Sequence, residues 1–438
     1  MGHGRKRWAV VLLALALVAA GCGDDDDDEG GGGGGTDGGG GGGTVTVFGA
    51  FVDAEAAAFE AALKPFEDET GIDVRYEGSG DFNDLIRLRA EADDLADIVI
   101  FPNPGLLTEF AADEHVVELT GEALTAFQDN YNEDWQSFGS VDGAPYGMFV
   151  KASPKSLVWY PVPEFEDAGY EIPETWDDLV ALSQQIADDG ATPWCIGIED
   201  GESTGWLATD WMEDIVLRLH GPEVYDQWVA HEIPFDDPQI VEAGELLNEI
   251  WQNPDFVRGG TQTIRTTKFG DSPRPMFDDP PGCFLHRQAS FISTFFPDDV
   301  QASLTTDEPQ AGVFGLPGIG GDAAPAMGGG DVAGMTDARD EVAQTMAFLG
   351  TTEFAEGWAP AGGYISPHEG FDVSVYPTEI DRQIGELAAE APAFRFDGSD
   401  LMPAAVGSGT FWTAMIDIVA GTSPAEAFGT VESSYPSG

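Results

Sequence analysis

The chain has 438 residues, and 79 acidic residues against 18 basic ones give it a formal net charge of −61 at pH 7. This balance excludes nucleic acid as a partner, because neutralising phosphates requires clustered lysine and arginine side chains. Hydrophobic residues make up 42% of the chain, enough for extensive cores, and a chain of this length predicts two lobes. The strong charge also favours a soluble monomer, since like-charged surfaces repel each other.

The N-terminal 21 residues have the pattern of a secretory signal peptide. A positive segment, Arg5–Arg7, precedes the apolar run 8–20, which is shorter than the roughly 20 residues that a bilayer crossing takes. The run leads into Val18–Cys22, which resembles the bacterial lipobox, although Ala19 stands where that motif usually has leucine. The resemblance implies cleavage before Cys22 and attachment of a lipid to its sulfur. A plain secretory signal with a coincidental cysteine is the alternative.

Residues 22–43 are rich in aspartate and then in glycine. Because the segment after Cys22 has no apolar side chain to bury, it cannot offset its ordering entropy, and we expect a flexible tether. Such a tether would let a folded body stand off a membrane to which Cys22 is anchored.

The folded part begins with a regular alternation of short strands and helices. We predict strands at 44–48, 72–76 and 97–101, and helices at 54–69, 82–93 and 106–112. The strand at 97–101 is apolar throughout, which is typical of a parallel sheet covered on both faces. The alternation predicts a doubly wound α/β lobe, in which ligands bind beyond the carboxyl ends of the strands. That rule places Gly49–Asp53 and Phe101–Gly105 at the site.

Residues 141–160 combine turn residues with two β-prone runs, Met148–Val150 and Leu157–Tyr160, which Ser153 and Pro154 separate. A βα pattern precedes this stretch and a longer one follows it. We therefore predict an extended connection between two lobes, which is the physical requirement for a hinge. An ordinary buried hairpin is the alternative.

Several short motifs, in this order, resemble those of the extracellular solute-binding proteins of ABC importers. They are Glu109-Phe110 with Val117–Leu119 beyond it, Tyr146-Gly147, and Pro173–Leu179, which in that family opens the first long helix of the second lobe. Thr175 is a credible cap of this helix, with Asp178 three residues later. The resemblance implies an α/β, two-lobe, periplasmic-binding-protein-like fold of type II, with a ligand cleft between lobes that hinge segments join.

Further segments resemble the branch of this family that includes alpha-glucoside-binding proteins. They are Thr192–Gly197, Gly205–Asp214, Pro280–Gln288, Ser290–Ile292 and Phe295–Pro297. In the wider family a strand, here 289–296, returns to the first lobe, and a hinge, here near Val332–Met335, leads out again. The resemblance thus implies a first lobe at 44–150 plus 292–335 and a second lobe at 151–291 plus 336–438.

A sugar site needs flat apolar faces for the C–H side of the ring and convergent hydrogen-bonding groups for its hydroxyls. Trp206 and Trp211 flank Asp210. On a helix, Trp206 and Asp210 would share one face, where a ring and an acceptor could meet the same sugar. Core packing is the alternative for each tryptophan, more so for Trp211, which adjoins Met212 and Ile215.

A glycine cluster, Met327–Asp331, supplies the next candidates. Consecutive glycines allow a backbone to approach a ligand closely and to present its N–H groups. The resemblance implies that Gly329 and Gly330 contact the sugar, with Asp331 beside them. A simple turn is the alternative.

Phe51, Asp53 and Asn103 lie in loops that follow predicted strands. By resemblance, Asn103 stands where relatives have a sugar-binding aspartate or asparagine, whereas solvation is the alternative role for Asp53. Lys151 and Lys155 are notable in a chain with so few cations. At the predicted crossing they could contact ligand or pair with acids across the hinge.

Late in the chain, Gly362–Pro367 resembles a segment that lines the cleft in this family, which makes Tyr364 a candidate for ring stacking. Asp397 belongs to a polar stretch that could also approach the cleft. After lipidation of Cys22, Cys195 and Cys283 remain. An extracytoplasmic location permits a disulfide between them and an even count fits one, with two buried thiols as the alternative.

The six histidines show no metal-ligand spacing, so neither a metal nor a cofactor is expected. The sequence predicts a receptor, lipid-anchored to the outer face of the cytoplasmic membrane, that binds a neutral sugar and delivers it to the membrane-spanning permease subunits of an ABC importer. Two alternatives stay open: a glycoside-cleaving lipoprotein, and a receptor for another small solute such as a polyamine. Glycoside cleavage requires a defined carboxylate pair, and among 79 acidic residues nothing singles one out.

Overall fold

The computed structural model describes residues 42–320 and 324–436. The predicted signal peptide 1–21, the lipidation site Cys22 and the tether up to residue 41 lie outside the described residues. Contacts join the described residues into a single unit. Within it, none of the helices combines the length and the apolar character that a bilayer crossing requires.

The strands and helices of the described part are as follows. The strands are β1 (Thr44–Gly49), β2 (Asp73–Gly78), β3 (Ile98–Phe101), β4 (Ser140–Val141), β5 (Ala144–Pro145), β6 (Gly147–Pro154), β7 (Leu157–Pro161), β8 (His286–Arg287), β9 (Ala311–Gly315), β10 (Ala326–Met335) and β11 (Phe394–Phe396). The helices are α1 (Asp53–Thr70), α2 (Phe82–Glu91), α3 (Pro104–Ala112), α4 (Gly121–Asn130), α5 (Glu133–Phe138), α6 (Val162–Asp167), α7 (Trp176–Asp188), α8 (Trp206–Val229), α9 (Pro238–Trp251), α10 (Gly260–Thr266), α11 (Asp298–Ser303), α12 (Asp340–Leu349), α13 (Thr352–Trp358), α14 (Glu379–Glu390), α15 (Gly398–Leu401), α16 (Trp412–Val419) and α17 (Pro424–Glu432). The six elements predicted between residues 44 and 112 are all present, each within two residues of its predicted bounds.

The first lobe is built on a mixed sheet. Its order is β11-β10-β3-β1-β2, and β6 also pairs with β10. β1 runs parallel to β2 and β3, as the alternating pattern predicts, while β10 runs antiparallel to β3 and β6. All four residues of β3 are buried, because helices cover both faces of the sheet there.

The second lobe is built on a smaller antiparallel sheet and a group of long helices. The sheet order is β8-β7-β9. Helices α8, α9, α16 and α17 pack against one another around fully buried Trp211, Trp228 and Trp251. At the start of α7, Thr175 and Asp178 form the predicted capping box, in which each side chain bonds to the other residue's backbone N–H.

The segment 141–160 connects the two lobes. β6 pairs with β10 in the first sheet, whereas β7 pairs with β8 and β9 in the second, so the chain changes sheets at Lys155 and Ser156. The two runs are therefore not the arms of one hairpin. β10 makes a second connection, because Met327 packs in the second lobe's core and Met335 in the first.

The later part of the chain is divided between the lobes differently from the prediction. Segment 340–358 was assigned to the second lobe, but α12 packs against α4, and α13 packs against α1, in the first. Segment 292–335 was assigned to the first lobe, but β9 pairs with β7 in the second lobe's sheet. The physical reason is that each lobe is completed by segments distant in sequence, and no local pattern records which partner an apolar helix face meets.

The predicted strand 289–296 is also wrong, since Ser290–Phe295 forms a 3₁₀ helix. Ser293 Oγ donates to the carbonyl of Ser290 at 3.2 Å, and Thr294 Oγ1 donates to that of Phe291 at 2.9 Å. Such local side-chain bonds satisfy backbone groups that a strand would need for its ladder.

Cys195 and Cys283 form a disulfide, with Cα atoms 5.6 Å apart. The bond joins the segment that follows α7 to the segment just before β8, across a sequence separation of 88 residues. Both cysteines are buried.

Replacing both cysteines with alanine is expected to lower the free energy of unfolding by about 4 kcal/mol, because a cross-link over so long a loop restricts the unfolded chain. Urea denaturation of the oxidised protein and the double variant measures the difference. The oxidised protein treated with a reductant should unfold like the variant. Equal midpoints for all three samples would contradict the prediction.

Candidate ligand-binding cleft

Two adjoining cavities lie between the lobes. The first, of roughly 730 Å³, is lined by the loop after β1, by β6 and β10, and by residues of the second lobe. The other, of roughly 750 Å³, is lined by the loop after β3 and by the segment 397–404. Four residues belong to both linings, so the cavities form one continuous cleft: Pro102, Lys155, Trp206 and Asp400.

The loops that follow β1 and β3 reach this cleft, as the rule for parallel strands predicts. Phe51 and Asp53 line the first cavity and Asn103 lines the second. Asn103 also caps α3, since its Oδ1 accepts a hydrogen bond from the backbone N–H of Leu106 at 2.9 Å. Pro104 follows as the first helical residue, where its missing N–H is harmless.

Aromatic rings stand on both sides of the cleft. On the second lobe, Trp206 begins α8, and its Nε1 donates to Asp200 Oδ2 at 2.9 Å, which orients the ring. On the first lobe, Phe51 and Trp358 pack edge to face with centroids 5.1 Å apart. Tyr364 stacks on Trp358 with centroids 4.8 Å apart. Both lobes therefore contribute aromatic residues to the lining: Trp206 is partly exposed, whereas Phe51 and Trp358 are 3% and 2% exposed.

Gly329 and Gly330 line the cleft within β10 and are not part of a turn. A Cβ at Gly330 would lie 2.7 Å from the carbonyl oxygen of Lys151 and 2.9 Å from the ring of Phe149. No side chain fits that space, so glycine is required for the close approach of β10 to β6. This packing explains Gly330 without reference to a ligand.

Lys151, Glu55 and Asp331 form a charged group on the wall of the first cavity. Lys151 pairs with Glu55. Asp331 on β10 lies directly opposite Lys151 on the neighbouring strand β6. Burial by itself lowers the pKa of Lys151, but Glu55 and Asp331 outweigh it, so the pKa lies above the ordinary value. Burial raises the pKa of Asp331 to about 7 against the opposing effect of Lys151.

Lys155 occupies the point where the chain passes from one lobe to the other. Its Nζ donates to Asp210 Oδ1 at 2.9 Å and to Asp397, and it lies 5.5 Å from the centroid of the Trp206 ring. Although burial lowers the pKa of Lys155, the two carboxylates raise it well above its usual value. Burial likewise opposes ionisation of Asp397, yet Lys155 holds the pKa of Asp397 below its usual range. The three groups form a buried ionic cluster at the floor of the cleft, where Lys155 and Asp397 belong to the lining and Asp210 does not.

Glu213 joins this cluster from α8. Its oxygens accept hydrogen bonds from the backbone N–H groups of Gly398 and Ser399 at 2.9 and 3.0 Å. Burial raises the pKa of Glu213 well above its ordinary value, and the nearby Asp397 adds to this effect. Asp210, Glu213 and Asp397 bring ligand-type oxygens within 4.8 Å of one another. Because Lys155 and backbone donors already engage these oxygens, we assign the group a structural role.

Two predicted contact residues are placed in the core instead of on the cleft wall. Trp211 is 1% exposed and packs edge to face against Trp194, with centroids 5.3 Å apart. Trp211 is five positions after Trp206, and this spacing places the two side chains on nearly opposite sides of the helix. Tyr364 is fully buried, donates to the carbonyl of Val150 at 3.0 Å, and reaches the cleft only through Trp358.

Asp210 also differs from the prediction. It shares a helix face with Trp206, as expected, but it is fully buried and is held by Lys155. It therefore supports the cleft from beneath and is not an open acceptor beside the ring.

Comparisons with known proteins identify the family. Residues 42–270 match the model of the family described as bacterial extracellular solute-binding protein. The osmoprotective compounds-binding protein GgtB of Synechocystis sp. is 42% identical over 395 residues, which cover 90% of this chain and 92% of the relative. This chain belongs to the bacterial extracellular solute-binding proteins. The resemblance inferred from the motifs is thereby confirmed.

A second relative is the alpha-glucosides-binding periplasmic protein AglE of Rhizobium meliloti, 37% identical over 404 residues, or 90% of this solute-binding protein and 87% of the relative. Among solved structures, the bacterial solute receptor AcbH matches with a TM-score of 0.74 at 17% identity, over 90% of this chain and 97% of that one. The cyclic alpha-maltosyl-1,6-maltose binding protein of Arthrobacter globiformis matches with a TM-score of 0.65 at 20% identity, over 89% and 97%. These similarities confirm the predicted two-lobe fold.

Several residues lining the cleft of this solute-binding protein were missed from the sequence. Trp358 was expected in the second lobe, and Phe291 and Phe295 were expected in a strand, yet all three line the first cavity. Asp400 lines both cavities, and Asp397, three residues earlier, lines only the second and is 2% exposed. The polar stretch around Asp397 was the available signal, but only the fold distinguishes the partly buried Asp400 from the buried Asp397.

One sequence pattern in the cleft bears on catalysis. Gly201–Gly205 matches Gly-x-Ser-x-Gly, and Ser203 lines the second cavity. The nucleophile pattern requires a sharp turn from a strand into a helix, with a histidine within reach. Here Ser203 lies in a 3₁₀ turn, and no histidine lines the cleft among the residues described. Ser203 therefore lacks both the strand-to-helix turn and the histidine of that pattern within the described cleft lining.

Proposed function

We propose that this solute-binding protein is an extracytoplasmic receptor that binds an uncharged sugar, an α-glucoside or another small oligosaccharide, and presents it to the permease of an ABC importer. The sugar lies in the cleft between the lobes. Binding favours a closed arrangement because a ligand held by both lobes interacts more strongly with that state than with the open one.

The observation that supports this proposal best is the pairing of ring faces with polar groups in one cleft. Trp206 faces it from one lobe, and Phe51 with Trp358 from the other. Asp53, Asn103 and Asp400 add hydrogen-bonding groups for hydroxyls. This combination suits a pyranose, which has an apolar face and a polar rim.

The relatives support the choice of ligand class. One binds alpha-glucosides and another osmoprotective compounds, and both align with most of this chain. A formal net charge of −61 suits a protein whose surface works in saline surroundings, where osmoprotectants are used.

Attachment to the membrane through a lipid on Cys22, and a monomeric state, complete the proposal. Both rest on the sequence: the lipobox-like segment before Cys22 and the repulsion expected between highly acidic copies. An unmodified Cys22 in the mass spectrum of the membrane-extracted protein would contradict the proposed lipid attachment.

A ligand panel tests the proposed function. Thermal-shift and calorimetric titrations with trehalose, sucrose, maltose, raffinose and putrescine should show binding of at least one α-glucoside in the micromolar range, about −8 kcal/mol. Ligand that binds only the folded state raises the midpoint of unfolding. Putrescine serves as the non-sugar control. Binding of putrescine alone, or accumulation of hydrolysis products from a disaccharide, would contradict the proposal.

A further inference from the structure

We infer that the cleft discriminates against anionic sugars, such as uronic acids and sugar phosphates, and that Asp331 and Asp400 are the residues that set this specificity. The inference deepens the proposed function and rests on it, because it concerns which members of the sugar class the same cleft accepts.

The cationic side chains of the cleft are already paired with acidic residues. Among the residues described, three cationic side chains line it: Arg87, Lys151 and Lys155. Arg87 makes a two-pronged pair with Glu109, in which Nη2 lies 2.8 Å from Oε2. Lys151 pairs with Glu55, and Lys155 with two buried carboxylates. An anionic group entering the cleft would have to compete with these acids for each cation.

Two carboxyl groups of the cleft lining, those of Asp331 and Asp400, have no hydrogen-bond or ion-pair partner among the described residues. Asp331 lines the first cavity from β10, and Asp400 lines both cavities from α15. Within the described ranges, neither side chain makes a hydrogen bond or ion pair, in contrast to Asp200, which accepts from Trp206. The two stand on segments of different lobes, so a ligand held between the lobes meets both. Their oxygens suit ligand hydroxyls, and when ionised they repel a ligand carboxylate or phosphate.

The charge of Asp331 depends on its surroundings. Lys151 on β6, Glu55 on α1, Asp400 on α15 and the phenol of Tyr76 on β2 are the titratable groups that face it, and burial raises its pKa to about 7. Asp331 is therefore neutral in mild acid and ionises as the pH rises through about 7. Discrimination against an anionic ligand should grow over the same range.

Asp400 faces a different set of charges. Burial raises its pKa well above the ordinary value, with Asp397, Asp210 and Asp331 adding to the effect and Lys155 opposing it. The ionised form of Asp400 is therefore disfavoured, and its negative charge, like that of Asp331, increases as the pH rises. An anionic ligand at the second cavity would add a like charge beside Asp397, whose negative charge Lys155 already stabilises.

Three matched sugars test the inference: methyl α-D-glucopyranoside, its C6 carboxylate (the uronate) and its C6 carboxamide (the uronamide). The last two have nearly the same size and differ in charge. We expect the uronate to bind about tenfold to a hundredfold more weakly than the uronamide at about pH 8, and the ratio to fall towards about pH 5.5. The uronate stays ionised throughout, so a change in the ratio reports the protein's carboxyls.

The variant Asp331→Asn/Asp400→Asn should bring the two affinities within about threefold at about pH 8, and each single variant should give an intermediate ratio. Glu245→Gln is the control, because it removes one exposed acid of α9 outside the cleft and should leave the ratio unchanged. Equal binding of uronate and uronamide by the unmodified protein would overturn the inference alone. So would a ratio that Glu245→Gln lowers as much as the cleft variants. If a disaccharide of the ligand panel binds and methyl α-D-glucopyranoside does not, the uronate and uronamide are made from that disaccharide and compared in the same way. Binding of none of these sugars and of none in the panel would instead overturn the proposed function on which the inference rests.

Discussion

Replacing Lys155 with methionine is expected to lower the free energy of unfolding by about 3 to 5 kcal/mol, which is the range for removing one partner of a buried ion pair. Lys155 is 10% exposed and pairs with Asp210 and Asp397, which are 0% and 3% exposed, while Arg287 Nη1 lies 3.7 Å from the second oxygen of Asp210. Methionine fills a similar volume, so the loss comes from leaving Asp397 buried without its cation and Asp210 with only the more distant Arg287, and not from a cavity. Urea denaturation at neutral pH measures it.

Two further variants make this prediction specific. Lys155→Met/Asp397→Asn should recover part of the lost stability, because it also removes one of the uncompensated charges. Lys64→Met is the matched control: its exposed ammonium pairs with Asp68 at 2.8 Å on α1, and water screens that pair. Its unfolding midpoint should stay unchanged. If Lys155→Met were as stable as Lys64→Met, the buried ionic cluster would not stabilise the fold.

Replacing Trp206 with alanine is expected to weaken binding of the best sugar of the panel by about 10- to 100-fold, equivalent to about 1.4 to 2.8 kcal/mol. The ring lines both cavities, and its contacts with Asp200 and Phe269 hold it in place before ligand arrives. Its removal therefore takes away a preformed apolar face. Isothermal titration calorimetry with the folded variant measures the change.

Trp211→Phe is the control for this second prediction. Trp211 lies five residues further along the same helix and packs in the core, so its substitution should lower stability without changing the sugar affinity of the folded protein. Trp206→Phe keeps an aromatic face and should retain part of the affinity. An unchanged affinity in Trp206→Ala, or a larger loss in Trp211→Phe, would show that the cleft wall has been assigned to the wrong tryptophan.

Trp206 and Asp210 show which properties of a residue follow from local sequence and which depend on the tertiary structure. The spacing puts Trp206 and Asp210 on one face if the segment is helical, and the structure has a helix there. The spacing does not reveal that this face meets Lys155 beneath the cleft, so that the tryptophan is partly accessible while the aspartate is buried. Exposure depends on which segment covers the helix, and here Lys155 of that segment is 55 residues from Asp210 in sequence.

Local order in this protein is determined by its sequence. The strand and helix bounds between residues 44 and 112, the capping box at Thr175 and the change of sheets near Lys155 all follow from nearest-neighbour chemistry: β-branched runs, helix caps and turn residues. Only the tertiary structure decided that α12 and α13 return to the first lobe, that Asp400 lines both cavities while Asp397 lines one, and that Trp358 lines the first cavity. These outcomes depend on contacts between segments that are distant in sequence. Such contacts form only when the lobes assemble, so no local periodicity in the sequence predicts them.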